Sequence, residues 1–149
     1  MKKWFKWASL VVILGAMALQ LTNPPRTNPP VVAGHDQLAA NPPPPEVAAL
    51  LKSACYNCHS FETKWPWYSK IAPVSWWIAR HVDEARDAMN FSEWPHDSPA
   101  KIRKRWRHIA ETVEGREMPL PSYTWMHPEA RLTDAERARL VQWAKQAGD

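Results

Sequence analysis

Glycine is scarce in this chain, four among 149 residues, and runs of valine and isoleucine are few. No stretch alternates convincingly between apolar and polar residues at period two, so a sheet has little to build on. Excess positive charge is smaller than it looks. Lys2, Lys3 and Lys6 supply three of the net +4, leaving about +1 from Trp7 onward. That excludes the basic footprint of a nucleic-acid-binding protein. Only two cysteines are present, against ten tryptophans and fifteen prolines. The length suits one domain with one core, with room for a targeting segment and a linker.

The first 21 residues, MKKWFKWASLVVILGAMALQL, join a positive end to an apolar run from Trp7 to Leu21. This is the pattern of an export signal, either cleaved or retained as a membrane anchor. Fifteen apolar residues are short against the roughly 20 of a spanning helix, although Trp4 and Phe5 extend the run while Lys6 snorkels. Ala16-Met17-Ala18 has the small-x-small form of a cleavage site. Either way the remainder is expected outside the cytoplasm. Residues 22–45 hold TNPP twice and NPP a third time. Proline fixes φ and removes donors, so this stretch is expected to be an extended stalk without helix or central strand, and His35 within it a solvated histidine.

From Pro45 onward the periodicity is helical. Val47, Leu50, Leu51, Ala54 and Cys58 predict a helix ending at the cysteine motif. Val74, Trp77, Ile78, His81, Val82, Ala85 and Met89 form one stripe of a second helix from Pro73 to about Met89. Ser98-Pro99 opens a third, with Ile102, Trp106, Ile109 and Val113 inward and Gly115 as its stop. Thr133-Asp134-Ala135-Glu136 is a capping box for a fourth that buries Leu140, Val141 and Ala144. The expectation is an all-α domain over residues 46–149, with an aromatic loop after the first helix and an irregular one before the last.

Cys55, Cys58 and His59 lie in SACYNCHS on the end of the first helix. A structural zinc site needs four ligands, and with no second cysteine pair it would need an unobvious fourth beside these three. A thioredoxin-type dithiol follows a strand in a βαβ setting, which is missing here. A simple disulfide leaves His59 unexplained. Covalent attachment of a c-type haem uses all three residues: one helical turn spaces two thiols for the two vinyl groups, and the next residue is carried beneath the iron. A porphyrin also supplies the apolar plate that a small core lacks, with Trp65, Trp67, Tyr68, Trp76 and Trp77 as candidate walls.

With His59 as the proximal ligand, the sixth position has seven candidates: Met89, Met118, Met126, His81, His96, His108 and His127. Met118 is preferred because Glu117-Met118-Pro119-Leu120-Pro121 lies in an irregular loop whose prolines can hold a thioether toward the iron. His81 is the rival, from its place on the second helix's stripe. Lys101, Arg103, Lys104, Arg105 and Arg107 crowd the third helix; a solvated surface is the simple reading, and docking of an acidic redox partner the functional one.

The helix bearing CYNCH, the Met-Pro loop and the capped LTDAERARLVQWAKQ resemble the plan of class I c-type cytochromes. More specifically, TNPP, CYNCHSFETKWPWYSKIAPVSWWIARHV, NFSEW and MPLPSYTWMHPEARL resemble the bacterial haem-binding domain family of small cytochrome c-like proteins with an N-terminal anchor. The resemblance covers nearly the whole chain after residue 21 and is most specific from Cys55 to Pro73. It implies one haem c attached through Cys55 and Cys58, with His59 proximal and Met118 as the loop ligand. It implies too a domain anchored at the periplasmic side of the bacterial inner membrane. The long aromatic insertion after His59 departs from ordinary class I cytochromes. An electron carrier with an unidentified redox partner is the first functional expectation. A haem peroxidase-like enzyme and a haem-based redox or gas sensor are the alternatives.

Overall fold

The structure, a computed structural model, describes residues 2–96 and 98–148, excepting the side chains of Lys2, Pro95 and His96. Among the described residues there are eight α-helices, three short 3-10 turns and no strand. The helices are α1 (Lys2–Gln20), α2 (Gln37–Ala40), α3 (Pro45–Ala54), α4 (Tyr56–His59), α5 (Val74–Ala88), α6 (Pro99–Glu114), α7 (Pro121–Met126) and α8 (Asp134–Gly148).

The core forms where α6 and α8 pack against each other. Ser98 caps α6 by accepting the Lys101 amide, and Thr133 and Glu136 cap α8 reciprocally, as their spacing requires. These caps set the phase of the two helices, so that Trp106, Ile109, Ala110 and Val113 face Leu140, Val141 and Ala144. Gly115 ends α6 as expected, but the left-handed residue is Arg116, at φ 60°. Its amide bonds to the Val113 carbonyl and that of Glu117 to Thr112, which closes the helix and starts the loop toward Met118.

Aromatic residues outside the four long patterns complete the core. Tyr56 stacks on Phe91 at 5.0 Å, Phe91 meets Trp94 at 5.8 Å, and Trp94 meets Trp106 at 4.7 Å. Phe91 and Trp94 come from the 3-10 turn at Phe91–His96, and their rings link Tyr56 of α4 to Trp106 of α6. Of the basic cluster on α6, Lys101, Arg103, Lys104 and Arg107 are exposed, and Arg105 lies over the Trp94 ring at 5.3 Å.

The α5 stripe lines a cavity at Val74, Trp77, Ile78, His81 and Val82, and α5 buries Ser75, Ala79 and Val82. One expectation is corrected: residues 22–45, although extended over most of their length, include the short α2 and are strapped to the helical domain. The asparagine of each TNPP repeat makes the attachment. Asn23 donates to the Lys70 carbonyl at 3.1 Å and accepts from Ser75 Oγ. Asn28 donates to the Thr63 carbonyl at 2.8 Å and accepts from Trp65 Nε1 and an Arg86 nitrogen. Proline leaves the strap without internal hydrogen bonds, and the facing aromatic loop has carbonyls that no regular element satisfies. Between the prolines, Asp36 caps the short α2, accepting from Leu38 N and from Tyr56 Oη at 2.9 Å. His35 is half-buried, and its carbonyl accepts the Trp94 amide.

Every residue of α1 from Lys3 to Gln20 is exposed. Among the described residues no helix is long and apolar enough to cross a membrane.

Urea unfolding should separate core from strap. Trp106→Ala, at a fully buried position, is expected to cost about 3–5 kcal/mol. Asn28→Ala should cost about 1–3 kcal/mol, whereas an untethered stalk residue would change stability by less than about 0.5 kcal/mol.

Candidate haem site

Helix α3 stops at Ala54, and Cys55, at φ −123° and ψ −46°, turns the chain into the single turn of α4. The Cys55 carbonyl accepts the amides of both Cys58 and His59, at 3.2 and 3.0 Å, so the motif forms one rigid turn. Burial, with neighbouring Cys58, pushes the Cys55 thiol up to about 12, and burial raises Cys58 against the opposing pull of Arg86. Both are therefore thiols at neutral pH, unlike the stabilised thiolate of a dithiol redox centre.

His59 Nδ1 lies 2.9 Å from the Ala85 carbonyl and 3.1 Å from that of Met89. A carbonyl can only accept, so Nδ1 carries the proton and Nε2 keeps its lone pair. Enclosure lowers the histidine's pKa, against the opposing effect of these two bonds, and favours the neutral imidazole that ligates iron.

Two adjoining cavities open beside this turn. The larger, about 460 Å³, is lined by Cys58 and by Val74, Trp77, Ile78, His81 and Val82 of the α5 stripe; the 120–127 segment faces them. The smaller, about 200 Å³, is lined by His59, Ala85, Met118 and Pro119 among others. Cys58, His81, Leu120 and Tyr123 border both.

The structure thus brings Cys58, His59, His81 and Met118 to one place, with Cys55 at the base of the turn. Met118 is half-buried and its backbone is held on both sides. Its amide donates to the Thr112 carbonyl at 3.1 Å, and its carbonyl accepts from Arg137 at 3.0 Å. The same Arg137 nitrogen also donates to the Val113 carbonyl. His81 bonds through Nδ1 to the Trp77 carbonyl, which leaves Nε2 as its free lone pair.

The remaining candidates sit less favourably. Met89 is in the hydrophobic core, and His108 is exposed on α6 and lines neither cavity. Met126 lines the larger cavity but is 48% exposed. His127 is engaged at both nitrogens, by Tyr68 Oη at 2.7 Å and Glu129 at 2.8 Å. The His96 side chain lies outside the described residues. Of the proposed aromatic walls, Tyr68 and Trp77 line the larger cavity, Trp65 binds the strap, and Trp67 and Trp76 line neither cavity.

Sequence reasoning missed two supporting groups. Tyr123 stacks on His127 at 4.3 Å and accepts from Asn57 at 2.8 Å; its hydroxyl is pushed up to about 12, first by burial, and so stays protonated. The four-residue step from Tyr123 to His127 was a visible signal. Arg86 donates to the Ser60 carbonyl, Thr63 and Asn28, and so clamps the loop that leaves His59. Its partners are scattered through the chain, and no local pattern pointed to it.

These features define a helical domain in which Cys58 lines two adjoining apolar cavities and a neutral His59 the smaller of them, with Cys55 three residues back packed against the core. The chain matches the family described as Haem-binding domain over residues 14–146 and belongs to that family. Neither a curated protein nor a solved structure matches it. The residues fit a haem: the larger cavity falls within the ~300–1,000 Å³ of ligand sites and its walls are apolar, and the adjoining smaller cavity, which shares Cys58 and His81 with it, is lined by His59 with its unprotonated nitrogen. It is a haem-binding protein.

Arg137→Ala should release the Met118 loop. The expected result is a loss of about 1–3 kcal/mol in stability, with faster hydrogen exchange at the Glu117 and Met118 amides than at those of α5.

Proposed function

We propose that the protein is a monohaem electron-transfer cytochrome whose haem is bound covalently as haem c. The observation that carries this reading is the Cys55–His59 turn beside the apolar cavities, with His59 oriented through Ala85. Cys55 and Cys58 would hold the haem through thioethers and His59 would be the proximal iron ligand. Met118 is the distal ligand we favour, with His81 as its alternative. Haem iron supplies a one-electron couple.

The chain's own residues suit such a couple. Arg137 and Thr112 restrain Met118 before any ligand bond forms, and Ala85 restrains His59, so little rearrangement is required when charge changes. Apolar walls from α5 and α7 limit water. Exposed cations on α6 offer a surface for an acidic redox partner.

For location we propose the periplasmic side of a bacterial inner membrane, with α1 as the anchor. Its exposed apolar residues and its three lysines, all within the first five positions, support this orientation. Soluble periplasmic protein after cleavage is the alternative.

Protein matured with a periplasmic cytochrome c assembly system should keep peroxidase-staining haem through a denaturing gel, and Cys55→Ala/Cys58→Ala should lose it. Absence of stain from exported wild type would reject covalent attachment. Oxidised wild type should show a weak sulfur-to-iron charge-transfer band, and Met118→Ala should lose the band and bind carbon monoxide readily when reduced. An unchanged spectrum in Met118→Ala would transfer the assignment to His81, tested by His81→Ala. A wild type that already binds carbon monoxide quickly and turns over peroxide would favour the enzyme, for which Tyr68 and His127 line the larger cavity in a hydrogen-bonded series that ends at Glu129 outside it.

A further inference from the structure

The haem cavity accounts for Val74, Trp77, Trp125 and Met126 among the exposed apolar residues of the domain, but not for Trp67, Ile71 and Trp76. These three are 69%, 45% and 37% exposed and line neither cavity at the haem site. They belong to one segment, KWPWYSKIAPVSWWIAR, residues 64–80, which contains no carboxylate. Its cations are Lys64 and Lys70, both exposed, and Arg80, which pairs with Glu84.

This segment is bonded to the end of α1. Gln20 exchanges hydrogen bonds with the backbone of Ala72, accepting from its amide at 3.1 Å and donating to its carbonyl at 3.4 Å. Trp76 Nε1 donates to the Thr22 carbonyl at 3.0 Å, and Asn23 joins Lys70 to Ser75. No length of free chain separates α1 from the domain. At about 1.5 Å per residue the 19-residue α1 is about 28 Å long, just short of a hydrocarbon core about 30 Å thick. Joined directly to the end of so short a helix, the 67–76 segment would lie close to the headgroups where α1 leaves the bilayer. Tryptophan is favoured at that depth, and lysines beside it suit anionic lipid.

We propose that Trp67, Ile71 and Trp76 rest in the headgroup layer of the bilayer entered by α1, so that the haem domain is docked on the membrane in a fixed orientation. The proposal rests on the reading of α1 as an anchor.

Hydroxyl-radical footprinting with mass spectrometry, on the full haem-loaded chain in nanodiscs of phosphatidylethanolamine and phosphatidylglycerol, tests both. Reactivities are referred to the urea-unfolded protein. Trp7 and Leu14 report the anchor; Val31 and Val32, which are 44% and 52% exposed on the strap, report open solvent. Docking requires that Trp67, Ile71 and Trp76 lose most of their reactivity while Val31 and Val32 keep theirs. In Ile71→Glu, Trp67 and Trp76 should regain reactivity with Leu14 still protected and the haem spectrum unchanged. Protection of Leu14 without protection of the three face residues overturns docking and leaves the anchor standing. Reactive Trp7 and Leu14 reject the anchor and docking together. Protection of the face in native membranes but not in nanodiscs overturns the bilayer as occupant in favour of a protein.

Discussion

The hydrogen bond from His59 Nδ1 to the Ala85 carbonyl joins the cysteine turn to α5, and most of the site follows from it. It selects the tautomer that leaves Nε2 available, and it holds α5 at a fixed distance from α4. The apolar stripe of α5 is thereby turned toward the cavity. The Ala85 carbonyl also accepts the Met89 amide at 2.9 Å, which closes α5, and its second lone pair is the one that serves the histidine. One contact thus serves the orientation of the His59 imidazole, the position of a wall and the end of a helix.

What surrounds that contact divides into two parts of different character. On one side α3, α6 and α8 enclose Trp94, Trp106 and Leu140 in regular helix packing, with caps that set the register. On the other, the 60–73 loop has little regular structure and must find hydrogen-bond partners elsewhere. Arg86, Asn23 and Asn28 provide them. The proline-rich segment is therefore the counterpart of the aromatic insertion: a strand-like strap without internal bonds lies along a loop with carbonyls to satisfy. This explains why asparagine, with a donor and an acceptor on one short side chain, occupies the same place in both TNPP repeats.

The four long helices of the domain were legible because each carries a local signature, a cap or a proline at its start and a three-to-four periodicity within. The Cys55–His59 turn and the loop position of Met118 were legible for the same reason. What was misread depends on partners distant in sequence. A stripe such as Val74, Trp77, Ile78 and His81 marks an apolar environment, but its periodicity cannot say whether protein or ligand fills that environment. The strap appeared to be a stalk because proline forbids internal structure, and the cross-chain bonds of Asn28 to Thr63 and Arg86 have no local sign. Phe91 and Trp94 enter the core from a 3-10 turn, whose period differs from the pattern that marked the other core residues.

The strap also changes what the N-terminal segment can do. A flexible stalk would leave α1 and the haem domain independent, and a partner would have to meet a domain in variable orientation. Bonds from Gln20, Thr22 and Asn23 to the 70–76 region remove that freedom where the two parts meet. Residues 70–76 join the loop that follows His59 to α5, and these two supply Tyr68 and Trp77 to the cavity wall. Orientation of α1 and shape of the haem site are thus set by one stretch of chain. A change that loosened Asn23 or Asn28 would act on both, and would leave the bonds of Gln20 to Ala72, Thr22 to Trp76 and Arg26 to Ser69 to carry the junction.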